Sequence, residues 1–396
     1  MSTGAHVAIW RSTLLPASET FIRRQAEALT RWQPSLVGAV KVSSAIADDS
    51  DVIVFPDGPP GRRAFHRLRL TGGSSKLRAV LADVQPAVIH AHFGGDGWLI
   101  SRAAVQLGIP LVITLHGRDV TVQPRARGVR GARYRRNLRT AFARSAVILA
   151  VSESIRARAI ELGADPVNVL VHHTGVPIFD APTAGAKTWD IAYVGRFVEK
   201  KGIDDLIEAV ALIPSLRPRM VLIGDGPLLA SVRERAEHLG VDASFLGARE
   251  PSVVASCVAA SRVFVAPSKT AANGDTEGLP TTILEAASLG IPTISTDHSG
   301  IPEAIVHGQT GILCAEGAPS EIAAGIRRLL TDDELRIRMG RQARRYVVSH
   351  FDIRRQTGML EDIYDSVAGR TRVDPARRTH DSERSCDEIR MRARHR

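Results

Sequence analysis

The chain has 396 residues, 44% of them hydrophobic, with a formal net charge of +10. That length suits two domains, since single cores rarely grow past about 250–300 residues. No apolar stretch reaches the roughly 18–20 residues of a spanning helix, MSTGAHVAIW lacks the layout of a secretory signal, and Cys257, Cys314 and Cys386 are too few and too scattered for a disulfide framework or a zinc site. The expectation is a cytoplasmic protein.

Read in chain order, apolar runs at 6–10, 36–40, 51–55, 87–92, 111–116, 146–151 and 168–173 predict strands bounded by Gly, Pro or polar turns. A Pro-, Ala- and Gly-rich break at 177–190 marks a linker near 180–188. A second series follows at 190–195, 220–224, 243–247, 262–267, 292–297 and 311–315, with helix-like stretches at 204–213, 228–240 and 281–290. Alternation of this kind predicts an α/β protein with two parallel sheets, each covered by helices. The domains are expected at 1–180 and 181–350, with a helix over 351–367 that suits either. The segment 370–396, with nine arginines, five acids and few apolar residues, reads as a disordered basic tail.

Ligands of open parallel sheets bind beyond the carboxyl ends of the strands, so the residues there are the candidates. After the first strand, Ser18 is a candidate helix cap, and Ser18, Glu19 and Thr20 offer hydroxyls and free N–H groups toward a phosphate. HAHFGGDG (90–97) and TLHGRD (114–119) end two strands in His92 and His116, either of which could donate to a sugar hydroxyl or share a proton with Asp119. Between 125 and 144 eight arginines meet no acid. That run is either a solvated helix or a patch, including Arg133 and Arg136, for a phosphorylated acceptor, an anionic membrane or nucleic acid.

In the second half, VGRFVEKKG (194–202) puts Arg196, Lys200 and Lys201 at a strand end, the residue types that neutralise a diphosphate. GDGPL (224–228) reads as a strand-to-helix turn, and the backbone around Gly247 to Arg249 suits base recognition. EGLPTTILEA (277–286) sets Gly278 for a close approach, Pro280 in a first helical turn, Glu285 about one turn inside and Glu277 on the loop before it. A helix start favours phosphate, whereas two carboxylates beside it favour hydroxyls. A nucleotide sugar has both. Asp49 and Asp51 have the spacing of a minimal metal motif but precede a strand, so no metal is expected.

Assembled, these residues resemble the retaining glycosyltransferases of family 4, with the GT-B architecture of two facing Rossmann-like domains. The likeness covers about 3–367 and is carried by the E-x7-E element of Glu277 and Glu285, by EAASLGIPTISTDHSGIPEAI, VGRFVEKKGIDDLIEAV and IGDGP, and by the two histidine stretches. STLLPASETFIRRQ replaces the family's N-terminal glycine pair, and with AANGDTEGLP and HSGIPE it resembles the colanic-acid and exopolysaccharide branch. The resemblance implies that Glu285 binds ribose and Glu277 the transferred sugar. Gly278, Leu279, Pro280 and Thr281 would lie near diphosphate and sugar, Arg196 and Lys201 on the diphosphate, and His116 near the anomeric centre, with His92 and Asp119 beside it. It further implies that 351–367 crosses back to the first domain.

The expected reaction is metal-independent, retaining transfer from a nucleotide sugar, UDP-linked ahead of GDP or ADP, to a glycan or lipid-linked acceptor. No cofactor and no nucleic-acid partner are expected, and the inner face of the plasma membrane is an expected peripheral partner. The alternatives are transfer to a small soluble acceptor, such as an aglycone or aminocyclitol, and sugar-nucleotide epimerisation or hydrolysis.

Overall fold

The computed structural model describes residues 5–16, 19–42, 44, 46–179 and 187–369; Ser18, most of the linker and the basic tail lie outside the described residues. The first sheet is built from β1 (Ala5–Leu14), β2 (Trp32–Lys41), β3 (Val52–Ile53), β4 (Val88–His92), β5 (Leu111–Leu115), β6 (Val147–Ala150) and β7 (Val169–Val171). The second contains β8 (Trp189–Val194), β9 (Met220–Ile223), β10 (Ala243–Gly247), β11 (Ser261–Ala266), β12 (Thr293–Thr296) and β13 (Gly311–Cys314). The strand orders are β3-β2-β1-β4-β5-β6-β7 and β10-β9-β8-β11-β12-β13, and the ladders pair in parallel throughout. These are two doubly wound sheets, as the alternation of strand and helix signals predicts. Central strands such as β4, β5, β6 and β12 are buried along their whole length, because helices cover both faces.

Two strand lengths depart from the sequence expectation. β2 begins at Trp32 and runs through Pro34. Its outer neighbour β3 pairs only at Val37 and Gly38, so the missing N–H of Pro34 falls where β2 is an edge. The apolar run at 51–55 yields only Val52–Ile53 as strand; Val54 and Phe55 still donate to the carbonyls of Gly38 and Ala39 at 2.8 and 2.9 Å while their side chains enter the core.

In each sheet the chain reverses winding between its first strand and the next one inward, β1/β4 and β8/β11. A crevice opens at such a reversal, and both crevices lie at carboxyl ends that carry the histidine and arginine-lysine stretches. The helix Ile353–Val367 packs on the first sheet: Leu360 and Tyr364 join Trp32, Val7, Ile9 and Val88 in one buried cluster. It is tethered by its neighbour Phe351, whose carbonyl accepts from Val176 N–H at 2.8 Å, while Ile353 N–H returns to Val176 O at 3.0 Å.

Glu361 on that helix accepts from the backbone N–H groups of Thr30 (2.7 Å), Arg31 (2.6 Å) and Trp32 (3.2 Å). Burial pushes its carboxyl up, but these donors and the Arg31 guanidinium outweigh burial and hold it below the usual range. Its stabilisation is therefore present above the ordinary carboxylate pKa and lost as pH falls through the lower folded value. Glu361→Gln should cost about 1–3 kcal/mol near neutral pH. Denaturant unfolding of the variant should also lack part of the parent's loss of stability in acid; identical acid limbs would refute the assignment.

Candidate functional site

The two sets of carboxyl ends face each other across a cleft of about 1530 Å³. On the second-domain wall, the turn after β8 is pinned by the GDGP turn: Phe197 N–H donates to Asp225 O at 2.9 Å and Leu228 N–H to Phe197 O at 3.0 Å. Gly226, at φ +155, lies so close to Phe197 that a Cβ would strike its backbone. This packing presents Arg196 to the cleft, exposed, with no bond from its guanidinium to the described residues. Lys200 donates to Asp275 and to the Thr276 carbonyl, both at 3.2 Å. Lys201 pairs with Glu277 at 2.8 Å.

Glu277 is buried and held at several points. Ser268 Oγ donates to its Oε1 at 3.2 Å, Ser299 Oγ to its carbonyl at 2.6 Å, and its own N–H to His298 Nε2 at 3.2 Å. Burial pushes the Glu277 carboxyl up, but Lys201 and then Lys200 overcome this and bring it to about 2. It is thus a fixed anion facing the cleft. Just beyond it, Gly278 meets the first domain: a Cβ there would run into the His116 carbonyl. The helix Thr281–Ser288 follows, with Pro280 as its N-cap residue and not inside its first turn. Gly278, Leu279, Pro280 and Thr281 all line the cleft.

Glu285 opens onto a second, smaller cavity of about 230 Å³ with Thr20, Arg24, Arg249 and Thr282. The two glutamates, eight residues apart, therefore serve adjacent cavities. Glu285 Oε1 accepts from Arg24 Nη1 of the first domain at 2.7 Å; burial pushes its carboxyl up and the guanidinium opposes this. Arg24 had no signal in the sequence, because only the facing of the two sheets brings residues 261 apart together. Gly247 does not line this cavity, although Arg249 does.

On the first-domain wall three histidines stack. His90 and His92 have ring centroids 4.5 Å apart, and His92 and His116 are 5.2 Å apart. His90 is bonded at both nitrogens, to Tyr364 Oη at 2.6 Å and Thr114 Oγ1 at 2.7 Å. His92 Nδ1 meets His116 Nε2 at 3.0 Å. Burial lowers all three, His116 to about 3, so the stack is neutral at ordinary pH. His116 lines the cleft and His92 lies behind it. The buried His92 Nε2 has no partner among the described residues. A lone pair is the less costly group to leave there, which puts the shared proton on His92 Nδ1 and the proton of His116 on its Nδ1.

Asp119 does not share a proton with either histidine. Its carboxylate accepts from the N–H groups of Gly94 (2.8 Å), Gly117 (2.9 Å) and His116 (3.2 Å), and so shapes the turn after β5. Glu19 is likewise committed: Arg11 grips it through Nε and Nη2, both at 2.8 Å, and holds Asp96 through Nη1 at 2.6 Å. A carboxylate held this way is no phosphate ligand. Glu19 is also the residue before the helix Thr20–Glu27, with no side-chain cap bond; the cap proposed at Ser18 falls outside the described residues. Arg11 lies 4.5 Å over the ring of Phe93, which adopts φ +71, unusual for an aromatic residue. Sequence reading passed over Arg11, which lies in the second half of β1, and Phe93 and Asp96, which follow the end of β4.

The arginine run divides in two. Arg125, Arg127, Arg130 and Arg133 line the cleft, with Arg133 also donating to the carbonyls of Arg69 (2.8 Å) and Leu70 (2.9 Å). Arg136 faces away, in a separate shallow groove with Arg135, Arg139 and Arg144, so the helix Gly128–Arg144 does not bring it to the cleft. Among the described residues no group of three or more His, Cys, Asp or Glu is placed to hold a metal ion; Asp51 is paired with Arg23 at 2.7 Å.

Comparison with known proteins agrees with this architecture. Residues 18–178 match the family model described as Glycosyltransferase Family 4, and residues 178–346 match Glycosyl transferases group 1. The N-acetyl-alpha-D-glucosaminyl L-malate synthase of Bacillus anthracis is 26% identical over 309 residues, 74% of this chain and 78% of that protein. WcaL of Salmonella typhimurium, assigned to colanic acid biosynthesis, is 29% identical over 263 residues, 63% of each chain. The UDP complex of HepE from Anabaena superposes with a TM-score of 0.76 at 19% identity, over 91% of this chain and all of that one. Two family models meeting at residue 178, where one sheet gives way to the other, make the chain a glycosyltransferase of the GT-B class, related to the family 4 and group 1 transferases.

Proposed function

We propose that the protein transfers a sugar, with retention at the anomeric carbon, from a UDP-linked donor to a hydroxyl of a glycan or lipid-linked acceptor. The observation that carries this reading is the Lys201–Glu277 pair set between Arg196 and the start of the helix Thr281–Ser288. A fixed anion for sugar hydroxyls thereby adjoins cations and free N–H groups for a diphosphate. Glu285 accepts from the ribose hydroxyls in the neighbouring cavity, where Arg249 lies toward the base. The fold shared with a UDP-bound structure and the relation to WcaL support the donor base and the kind of acceptor.

In this reading the C1–O bond to the diphosphate breaks as the acceptor oxygen forms its bond to C1 on the same face. The acceptor proton passes to the departing phosphate oxygen. Arg196 and Lys201 stabilise the charge that grows on that oxygen, and neutral His116 donates from Nδ1 to a sugar hydroxyl. Thr13, which lines the cleft near the end of β1, replaces Ser18 as the first-domain hydroxyl toward the diphosphate; Ser12 Oγ is committed to Asp96 Oδ1 at 2.7 Å.

The acceptor enters past Arg127, Arg130, Arg69 and the exposed Val129 and Leu70. The flanking helices Pro59–Thr71 and Gly128–Arg144 carry no acidic residue. Cations mixed with apolar tips suit a phosphate-bearing amphiphile or the anionic inner face of a membrane; no helix among the described residues is long and apolar enough to cross one. Transfer to a small soluble acceptor is the second reading, favoured by the relative named for L-malate.

Glu285→Gln should weaken UDP binding about ten- to a hundredfold, because a neutral amide accepts ribose bonds less well; parent-like calorimetric affinity would sink the ribose assignment. Arg196→Ala should also slow single-turnover transfer at saturating donor, and unchanged saturated turnover would exclude its leaving-group role. Replacing Arg127 and Arg130 by Gln should reduce sedimentation with anionic vesicles, raise the acceptor KM severalfold and leave UDP affinity within about twofold. Equal vesicle binding with a raised KM would favour the soluble acceptor. Finally, with its pKa near 3, His116 should not titrate between about pH 5 and 8 by NMR; a midpoint near 6.5 would overturn the neutral stack.

A further inference from the structure

We propose that His298 is a positioning residue for donor-sugar binding, acting through the peptide group of Glu277; this rests on the reading of Glu277 as the sugar-binding carboxylate. His298 is 2% exposed and sits in the loop between β12 and the turn Ile301–Ala304. Its Nε2 accepts the Glu277 N–H at 3.2 Å, while Nδ1 meets Glu316 Oε1 at 2.7 Å. A ring nitrogen that accepts from a peptide N–H carries no proton, so the proton of this imidazole lies on Nδ1 and is donated to Glu316. Glu316 is itself anchored, its other oxygen accepting from Thr270 N–H at 2.6 Å. The result is a relay that ends on the backbone at the point where the loop turns into Gly278.

The adjacent residue completes the grip. Ser299, at φ +51, donates from Oγ to the Glu277 carbonyl at 2.6 Å, so consecutive side chains hold the N–H and the C=O of one residue. Ser299 Oγ also meets Ser154 Oγ of the first domain at 3.0 Å, and Glu303 accepts from Glu153 N–H at 2.8 Å. The Glu277 carboxylate thereby keeps its direction even where Lys201 turns to a diphosphate. Without the bond from His298, the backbone at Glu277 can rotate and the carboxylate loses its fixed place in the cleft. The nucleotide part of the donor, held by Glu285 and the cations, does not depend on this bond.

Two substitutions separate positioning from bulk. Asparagine places an amide nitrogen where Nδ1 lies and keeps the bond to Glu316, but it is too short to reach Glu277. Glutamine extends an amide oxygen toward the Nε2 position. His298→Asn should speed hydrogen exchange at the Glu277 amide by about tenfold or more, the loss of one buried hydrogen bond. It should also erase most of the affinity difference between UDP-glucose and UDP, leaving the UDP affinity within about twofold; His298→Gln should restore both. Parent-like exchange and parent-like sugar discrimination in His298→Asn would overturn the proposal, as would a glutamine variant as impaired as the asparagine one. The exchange measurement needs no ligand and decides whether His298 holds Glu277. Glu277→Gln, measured beside it, tests the carboxylate itself: unchanged UDP-glucose affinity there would refute the sugar role of Glu277, separately from the tether.

Discussion

Everything at the centre of this molecule depends on the Glu277 carboxylate staying charged while buried. Removing a carboxylate from water disfavours its charged form by several kcal/mol unless cations and donors replace the solvent. Lys201 at 2.8 Å, with Lys200 behind it and Ser268 Oγ at 3.2 Å, supplies that replacement. The lysines in turn stand where they do because the turn after β8 is clamped by the GDGP turn. The buried carboxylate, its counter-charge and the strand ends that carry them form one mechanical unit.

The first domain meets that unit through close backbone approaches as well as through side chains such as Ser154, whose Oγ lies 3.0 Å from Ser299 Oγ. Gly278 lies against the His116 carbonyl, and Gly300 against the Gly278 carbonyl and Ser152, so three segments approach at distances that leave no room for a Cβ. Such contacts are sharply distance-dependent. They set the closest spacing of the two domains beside the cleft that Arg11, Phe93 and Arg196 line. The Arg24–Glu285 pair adds a charged contact at the other end of the interface.

The histidine stack shows how burial selects a chemical role. Three imidazoles in succession, anchored by Tyr364 on the returning helix, cannot all be charged; desolvation and mutual repulsion keep them neutral. A neutral ring can donate a hydrogen bond through one nitrogen while accepting one through the other. Asp119, which sequence proximity suggested as a proton partner, is occupied by three peptide N–H groups and serves the geometry of the turn.

Two doubly wound sheets are legible in the sequence because buried parallel strands must be continuous apolar runs and their connections must be amphipathic. The chemistry-bearing stretches are legible because ligands gather at strand ends; that placed His116, Arg196, Lys201, Glu277 and Glu285 on or beside the cavities. What no local pattern carries is which partner each charge takes. Arg24 reaches Glu285 across 261 positions, Arg11 draws Glu19 and Asp96 out of availability, His298 grips Glu277 by its peptide, and Arg136 turns away from the cleft that Arg133 faces. Composition and periodicity act over one or two turns of chain and so determine elements. Ion pairs and close backbone approaches act over about 3 Å of space, and only the packing of one sheet's carboxyl ends against the other's decides which residues come within that distance.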